Sequence, residues 1–483
     1  MNPFLPNRPA TAMLWLAALG AMAASVATLG VADRFLFLAT GLWALAIVLL
    51  PVARDREYPL FSMWSFAALT VVLGVTLRGA CLSFGFPDES RLDALFFLGH
   101  EPAFFFPAAG WLLLGLAMLT LGWMAIPFQR KNARKWDCDG GRLVAVALLL
   151  LAISSVATVW FIQRNGGLAS GEWSAKRAVI PDLDLVGAGY ESHGGLRFVA
   201  SLAMFGHLLA LVPVMSPATA PRNRVLLGAL AVALLGVACL VPFYASLRTT
   251  VALNLVSSAA MIAIHSRPRT RLAVLSAAIA VALIGVWVMT ALRPSNPNAD
   301  REALAAPTFA RIFEAAVINR NQIELPKTAH ILNAVPEELP FQYGKTIARW
   351  ALAPIPRSLW PDKPVIPPGP EIGRAVYGQR VAGVPPGMVA ELDWNFGWPG
   401  IAVGSFGLGM LMRWLQARFF SRDDLLRTAL FVAGPMTLGF EAIGSSLGSG
   451  LFRAALQTAV MAGLILLVKT RSAGESHTIR AAD

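Results

Sequence analysis

Hydrophobic residues in this chain fall in blocks of about twenty, repeated from one end to the other, and this spacing constrains the fold more than any other feature. A helix rises 1.5 Å per residue, so roughly twenty apolar residues cross the ~30 Å hydrocarbon layer of a bilayer. Of the 483 residues, 56% are hydrophobic and only 14% are charged, whereas roughly a quarter of an average soluble domain is charged. These numbers exclude a soluble enzyme, a disulfide scaffold and a disordered chain. They predict an all-α polytopic membrane protein.

Twelve spans are expected, at approximately 13–31, 35–52, 60–79, 103–126, 143–163, 196–215, 225–243, 248–265, 271–292, 396–417, 425–441 and 451–468. The N-terminal stretch has one Arg before its apolar run and reads as the first span rather than a cleaved signal peptide. Orientation follows from the Lys/Arg bias of short loops. With the N-terminus inside, the cytoplasmic segments hold 20 basic residues and the short external ones hold nine. Every basic cluster then alternates correctly, with both termini cytoplasmic. Topology thus accounts for most of the +12 formal charge, and no nucleic-acid partner is implied. The spans at 35–52 and 425–441 are the weakest, and losing either would break the alternation.

Three parts follow. Residues 1–292 hold nine spans and a smaller external loop at 164–195, residues 293–395 form one large external loop, and residues 396–483 hold the last three spans and a tail. Segment 80–102 is a short external stretch with acidic Asp88, Glu89, Asp93 and Glu101. In the large loop, TFARIFEAAV places apolar residues at helical spacing. Short amphipathic helices are expected near 308–318, 322–334 and 343–353, on the outer surface of the bundle. No internal repeat of the inverted-transporter kind is visible.

Ionisable residues at span ends are candidates for function, because charge in or near hydrocarbon is costly. Arg248 opens the eighth span and fits either a snorkelling interfacial Arg or an anion site. Arg293 closes the ninth. The large loop holds 11 basic and ten acidic residues, so specific Arg side chains are more plausible there than a diffuse basic field. Arg donates paired hydrogen bonds to phosphate and stays charged at any working pH. In APIPRSLWPDKP, prolines stiffen the backbone around Arg357, Trp360 and Lys363. That segment reads as a structural strap, or as one that holds phosphate or sugar. Further on, Glu391 and Asp393 flank the entry to a span. A carboxylate there can accept a proton from an attacking hydroxyl, or simply start a helix. Mid-span ionisable residues are scarce, His207 being a main example. Cys81, Cys138 and Cys239 are far apart, and His100, His193 and His330 are isolated, so neither a disulfide framework nor a zinc site is indicated. No Walker motif or dinucleotide fingerprint appears.

In chain order, NGGL with the following Arg177, SLRTTVALNLVSSAAMIAI, the ninth span ending in Arg293, NRNQ around Arg320, IPRSLWPDKP and GVPPGMVAELDWNFGWPGI resemble the Wzy-type O-antigen polymerases, the bacterial oligosaccharide repeat-unit polymerases. The resemblance covers roughly residues 160–410. Where the family usually has a glycine before the serine–arginine of the eighth span, Tyr244 and Ala245 stand here. The resemblance implies a GT-C-like, metal-independent, inverting glycosyltransferase of the bacterial inner membrane. It would join undecaprenyl-pyrophosphate-linked repeat units into O-antigen or exopolysaccharide on the periplasmic face, with no cofactor. Its partners would be lipid-linked glycans, membrane lipid and, optionally, a chain-length regulator. Arg248, Arg293 and Arg357 would offset the pyrophosphate charge, with Arg177, Arg320 and Lys363 as second choices and Trp360 stacking on a sugar. Glu391 would be the general base, with His330 or Asp393 behind it. An O-antigen ligase and, in a different class, a lipid-linked oligosaccharide flippase are the alternatives.

Overall fold

A computed structural model describes residues 8–30, 34–54, 61–96, 98–127, 136–164, 167, 194–217, 219–245, 247–291, 313, 316–318, 323–355, 359–360, 362–378 and 383–470. Among them the regular structure is helical, apart from one isolated bridge between Cys138 and Lys469. The helices are α1 (Arg8–Gly30), α2 (Phe35–Arg54), α3 (Met63–Phe84), α4 (Glu89–Phe96), α5 (Pro102–Ala125), α6 (Gly140–Arg164), α7 (Gly194–Met215), α8 (Pro221–Tyr244), α9 (Arg248–His265), α10 (Pro268–Ala291), α11 (Leu325–Ala334), α12 (Gly369–Tyr377), α13 (Met388–Phe419), α14 (Leu425–Ala433), α15 (Pro435–Gly444) and α16 (Leu447–Val468).

Eight of these are long and apolar enough to cross a membrane: α1, α2, α3, α5, α6, α7, α8 and α16. The other four expected spans correspond to α9, α10, the second part of α13 and the pair α14–α15. The stretch 35–52, one of the two weakest in sequence, lies within the uninterrupted α2. The other, 425–441, is not one helix. It breaks at Gly434 (φ −131°, ψ −68°) before Pro435, because proline has no N–H to donate and its ring disfavours a helical residue before it.

Helix α13 departs further from expectation. At Gly397 the backbone adopts φ 65°, ψ −165°, which only glycine takes readily. The arm 388–396 therefore doubles back along the helical segment that follows. A methyl group on Gly400 would stand 2.7 Å from the Leu392 carbonyl oxygen, and one on Gly404 2.4 Å from Leu392 Cδ2.

Nor does the expected helix near 322–334, in the described part of the large loop, lie on the outer surface. Leu325, Lys327, Thr328, Ala329 and Ile331 of α11 are buried, with α11 packed against α5 and α13. The expected helix near 343–353 is a short turn, Lys345–Ala348, continued as 3-10 helix to Leu352. The one near 308–318 lies largely outside the described residues. The acidic stretch 80–102 contains α4, whose Glu89 and Asp93 pair with Arg34.

Arg413, Arg427 and Lys469 lie at one end of the bundle. Arg427 and Lys469 sit over the Trp136 ring, Arg413 over Trp123, and His265 Nε2 lies 2.9 Å from Thr428 Oγ1. The ends of α5, α9, α13 and α16 and the start of α14 meet there.

Helices α5 and α13 approach so closely that glycine is required at their crossing. A methyl group on Gly122 would stand 2.0 Å from the Phe406 carbonyl oxygen, and one on Gly409 2.1 Å from that of Leu119. Gly110 of α5 has open space around it. Gly122→Val or Gly409→Val is therefore expected to destabilise the protein by about 2 kcal/mol or more. The fall would be read as a lower thermal midpoint in detergent, while Gly110→Ala leaves it unchanged.

Candidate functional site

The broken end of the 388–396 arm leaves carbonyl groups without helical partners, and a turn of the large loop satisfies them. Gln342 N donates to Trp394 O (2.9 Å), Tyr343 N to Asn395 O (3.1 Å) and Gly344 N to Asn395 Oδ1 (2.8 Å). The turn closes with Lys345 N donating to Gln342 O, and both Tyr343 (φ 48°) and Gly344 (φ 83°) are left-handed. This is the type I′ pattern, which ordinarily favours Asn and Gly.

Glu391 lies one turn before Asn395 and is fully buried. Its Oε1 accepts from Thr346 Oγ1 (3.0 Å) and Ser446 Oγ (3.2 Å), and its Oε2 accepts from Leu447 N (2.6 Å). Ser446 is the N-cap of α16, so the carboxylate sits at a helix N-terminus, where the unpaired N–H groups and the macrodipole favour negative charge. Asn395 Nδ2 donates to Thr346 Oγ1 and to Glu391 O, both at 2.7 Å. Gly387 N donates to Ser445 O at 2.8 Å. Loop, arm and last span are thus joined through one carboxylate. In this arrangement Glu391 is a helix-start anchor, turned away from solvent.

A second buried group ties the loop to α3. Residues Val72–Leu77 wind as a π-helix, and Arg78 follows directly. Its guanidinium pairs with Glu324, donates to the Val317 carbonyl and faces the Phe96 ring at 5.3 Å. Glu324 caps α11 and Lys327 lies one turn on, and all three charged side chains are buried. Burial pushes the Lys327 ammonium down to about 8, with Glu324 pulling it up and Arg78 adding to the fall. Sequence reasoning passed over Arg78 and Lys327. The available signal was Arg78 inside an otherwise apolar block, which implies a buried partner.

The third group is aromatic. His330 on α11 faces His100 (ring centroids 5.1 Å), Phe104 (5.0 Å), Phe105 (6.3 Å) and Tyr377 at the end of α12 (5.7 Å). His100 stacks on Phe104 at 4.2 Å. Ile331, Ile372, Ala390 and Trp394 form a small core beneath it, shared by α11, α12 and the arm. The two histidines that look isolated in sequence are neighbours in space.

The remaining predicted residues are dispersed. Asp393 is half-buried on the arm and Trp360 is exposed. Lys363 Nζ donates to Ala353 O (3.0 Å) and Ile355 O (2.8 Å), which closes the strap on itself. Arg248 is half-buried at the first position of α9. That helix packs mainly on α8, α10, α14 and α7, away from the α5–α11–α13 group. Arg177, Arg293, Arg320 and Arg357 lie outside the described residues. His207 is buried, with Nδ1 2.8 Å from Ala231 O, as expected of a hydrogen-bonded core histidine. Among the described residues no cluster of three or more His, Cys, Asp or Glu is arranged to hold a metal ion.

No protein-family model, no curated protein and no solved structure matches the chain.

Removing one partner of a buried ion pair strands the other. Arg78→Met or Glu324→Leu alone is expected to cost about 3–5 kcal/mol, with the double variant recovering much of the loss; thermal denaturation in detergent measures all three. Glu391→Ala leaves buried donors on Thr346, Ser446 and Leu447 without an acceptor and should cost about 1–3 kcal/mol. Lys327 has its own pH signature. Its folded pKa of about 8 lies below the ordinary 10.5, so the unfolded chain holds the extra proton between those values. Stability should rise as pH climbs from about 8 toward 10.5, and the difference between the wild type and Lys327→Met isolates that slope.

Proposed function

We propose that this chain is a membrane glycosyltransferase that polymerises undecaprenyl-pyrophosphate-linked oligosaccharide repeat units. It would act on the periplasmic face of the bacterial inner membrane, with twelve spans and both termini cytoplasmic. The observation that carries the reading is the pair of segments IPRSLWPDKP and ELDWNFG, with the second built into an arm that the large loop and the last span hold in place. The segregation of basic residues at the opposite end of α5 and α13 supports the orientation.

In this reading the leaving group is a lipid-anchored pyrophosphate, so its charge develops at the outer leaflet. Arg side chains offset it by paired hydrogen bonds. Arg248, Arg293 and Arg357 take that role first, with Arg177 and Arg320 behind them. Lys363 becomes a clasp within the strap, because its ammonium serves two backbone carbonyls. Trp360, exposed beside it, offers a face for a sugar ring. The general base must reach an incoming hydroxyl. Glu391 is enclosed by Thr346, Ser446 and the α16 N-terminus, so the role passes to His330 or Asp393, and Glu391 holds the arm in position.

The ligase reading keeps one observation in its favour, the His330–His100 pair in its aromatic surround. A ligase would move finished polymer onto a lipid A core instead of extending it.

The test is purified protein with undecaprenyl-pyrophosphate-linked repeat units, without metal or nucleotide, read as a ladder on a gel. A ladder that persists in EDTA and disappears in Arg357→Ala is the expected result. His330→Ala should slow extension by about 100-fold if it is the base, while Glu391→Gln keeps activity in the fraction that folds. No ladder with the native repeat unit, but transfer to an added lipid A core, would replace this reading with the ligase.

A further inference from the structure

The turn at Tyr343 is costly and has no packing purpose of its own. A non-glycine residue in left-handed backbone is uncommon and strained, and Tyr343 is the one such non-glycine residue among those described. Its side chain is 74% exposed, so no core contact offsets the strain. What holds the backbone is the set of three N–H groups donated to the end of the 388–396 arm. The turn therefore presents a large aromatic side chain outward from a rigid base.

That side chain is part of a continuous surface. The Phe341 and Tyr343 rings lie 6.2 Å apart, and a methyl group on Gly344 would stand 3.2 Å from Phe396 Cζ. Phe396 is exposed, and Trp398, two residues on, is 61% exposed and stacks on Trp111 at 6.5 Å. The same helix continues with exposed Val403, Met410 and Trp414, spaced seven and four residues and so on one face. Trp414, 52% exposed, follows Trp398 by sixteen positions, roughly 24 Å of helix. Two exposed tryptophans at that separation on an apolar helix fit the two interfacial belts of a membrane span, where amphipathic aromatic rings sit at the headgroup level. The basic end of the bundle, with Arg413, lies at the Trp414 level.

We infer that Tyr343, Phe396 and Trp398 form one aromatic wedge that seats the large loop in the lipid interface at the loop-side end of α13. The occupant is the bilayer itself. The Trp398–Trp414 spacing, with both rings exposed, sets its depth at the headgroup boundary. The wedge ties loop, arm and membrane surface together, so the loop segment 342–346 sits at a fixed height above the hydrocarbon. This does not depend on glycosyl transfer, and it holds or fails separately from that reading.

The experiment uses the full chain in nanodiscs of phosphatidylethanolamine with phosphatidylglycerol. Cys81→Ala, Cys138→Ser and Cys239→Ala clear the background, and a nitroxide is placed at Tyr343→Cys. A control label sits at exposed Glu337→Cys in the same loop. Collision with dissolved oxygen, which concentrates in lipid, is compared with collision with a water-soluble nickel chelate. The expected result is an oxygen-to-nickel ratio several-fold higher at 343 than at 337. A ratio at 343 equal to or below that at 337 overturns the proposal. So does a label at 343 shielded from both reagents, which would mean protein, such as a second copy, covers the patch. A second label at Trp398→Cys gives the same reading if the Tyr343 variant does not fold, and nickel-dominated relaxation there likewise overturns it.

Discussion

Three segments far apart in sequence meet at the Glu391 carboxylate: the loop after the turn, through Thr346, the arm that carries Glu391, and the start of the last span, through Ser446 Oγ and Leu447 N. A helix that begins inside a bundle needs acceptors for its leading N–H groups, and a helix that breaks needs donors for its trailing carbonyls. With little water available to either, the chain supplies both from itself. The loop turn donates to the arm, and the arm's carboxylate accepts from α16. Each end is satisfied only because the other is present, so arm, turn and last span are coupled.

The Arg78 group repeats this logic on the opposite side of α11. A short helix with Lys327 facing inward is an unfavourable thing to bury; Glu324 offsets that charge and also pairs with Arg78, whose guanidinium donates as well to the Val317 carbonyl. The pairing is better read as a device for position than as a source of stability, since a well-packed apolar replacement of buried ion pairs is often no less stable. The two polar anchors hold the loop at Val317 and 324–328 and again at 342–346. His330 and the arm are fixed in between, on a small core of their own. The described parts of the loop thus form a framework against which exposed Trp360 and half-buried Asp393 have a defined place.

Much of the architecture was legible in the amino-acid order. Blocks of about twenty apolar residues can be satisfied in a membrane only as helices, and each of the twelve expected positions is helical. The departures share a physical cause. Gly434 with Pro435, and Gly397 ahead of Pro399, are breaks inside apolar stretches, and a hydropathy count averages over them. The candidate site was legible in part. Glu391 was singled out for its place before a span, with both a general-base and a helix-start reading open; the hydrogen bonds it makes come from residues 45 and 55 positions away. His100 and His330 looked isolated because their proximity depends on α11 folding inward.

Composition and block spacing by themselves determined that this chain is helical and membrane-embedded, because burying a backbone in hydrocarbon leaves few alternatives. They also marked ionisable residues at the ends of apolar blocks as candidates for chemistry. Only the tertiary structure decided which donors surround Glu391 and which rings surround His330. Whether a carboxylate is a base or an anchor depends on the donors around it, and those donors are brought there by packing between segments that local sequence does not connect.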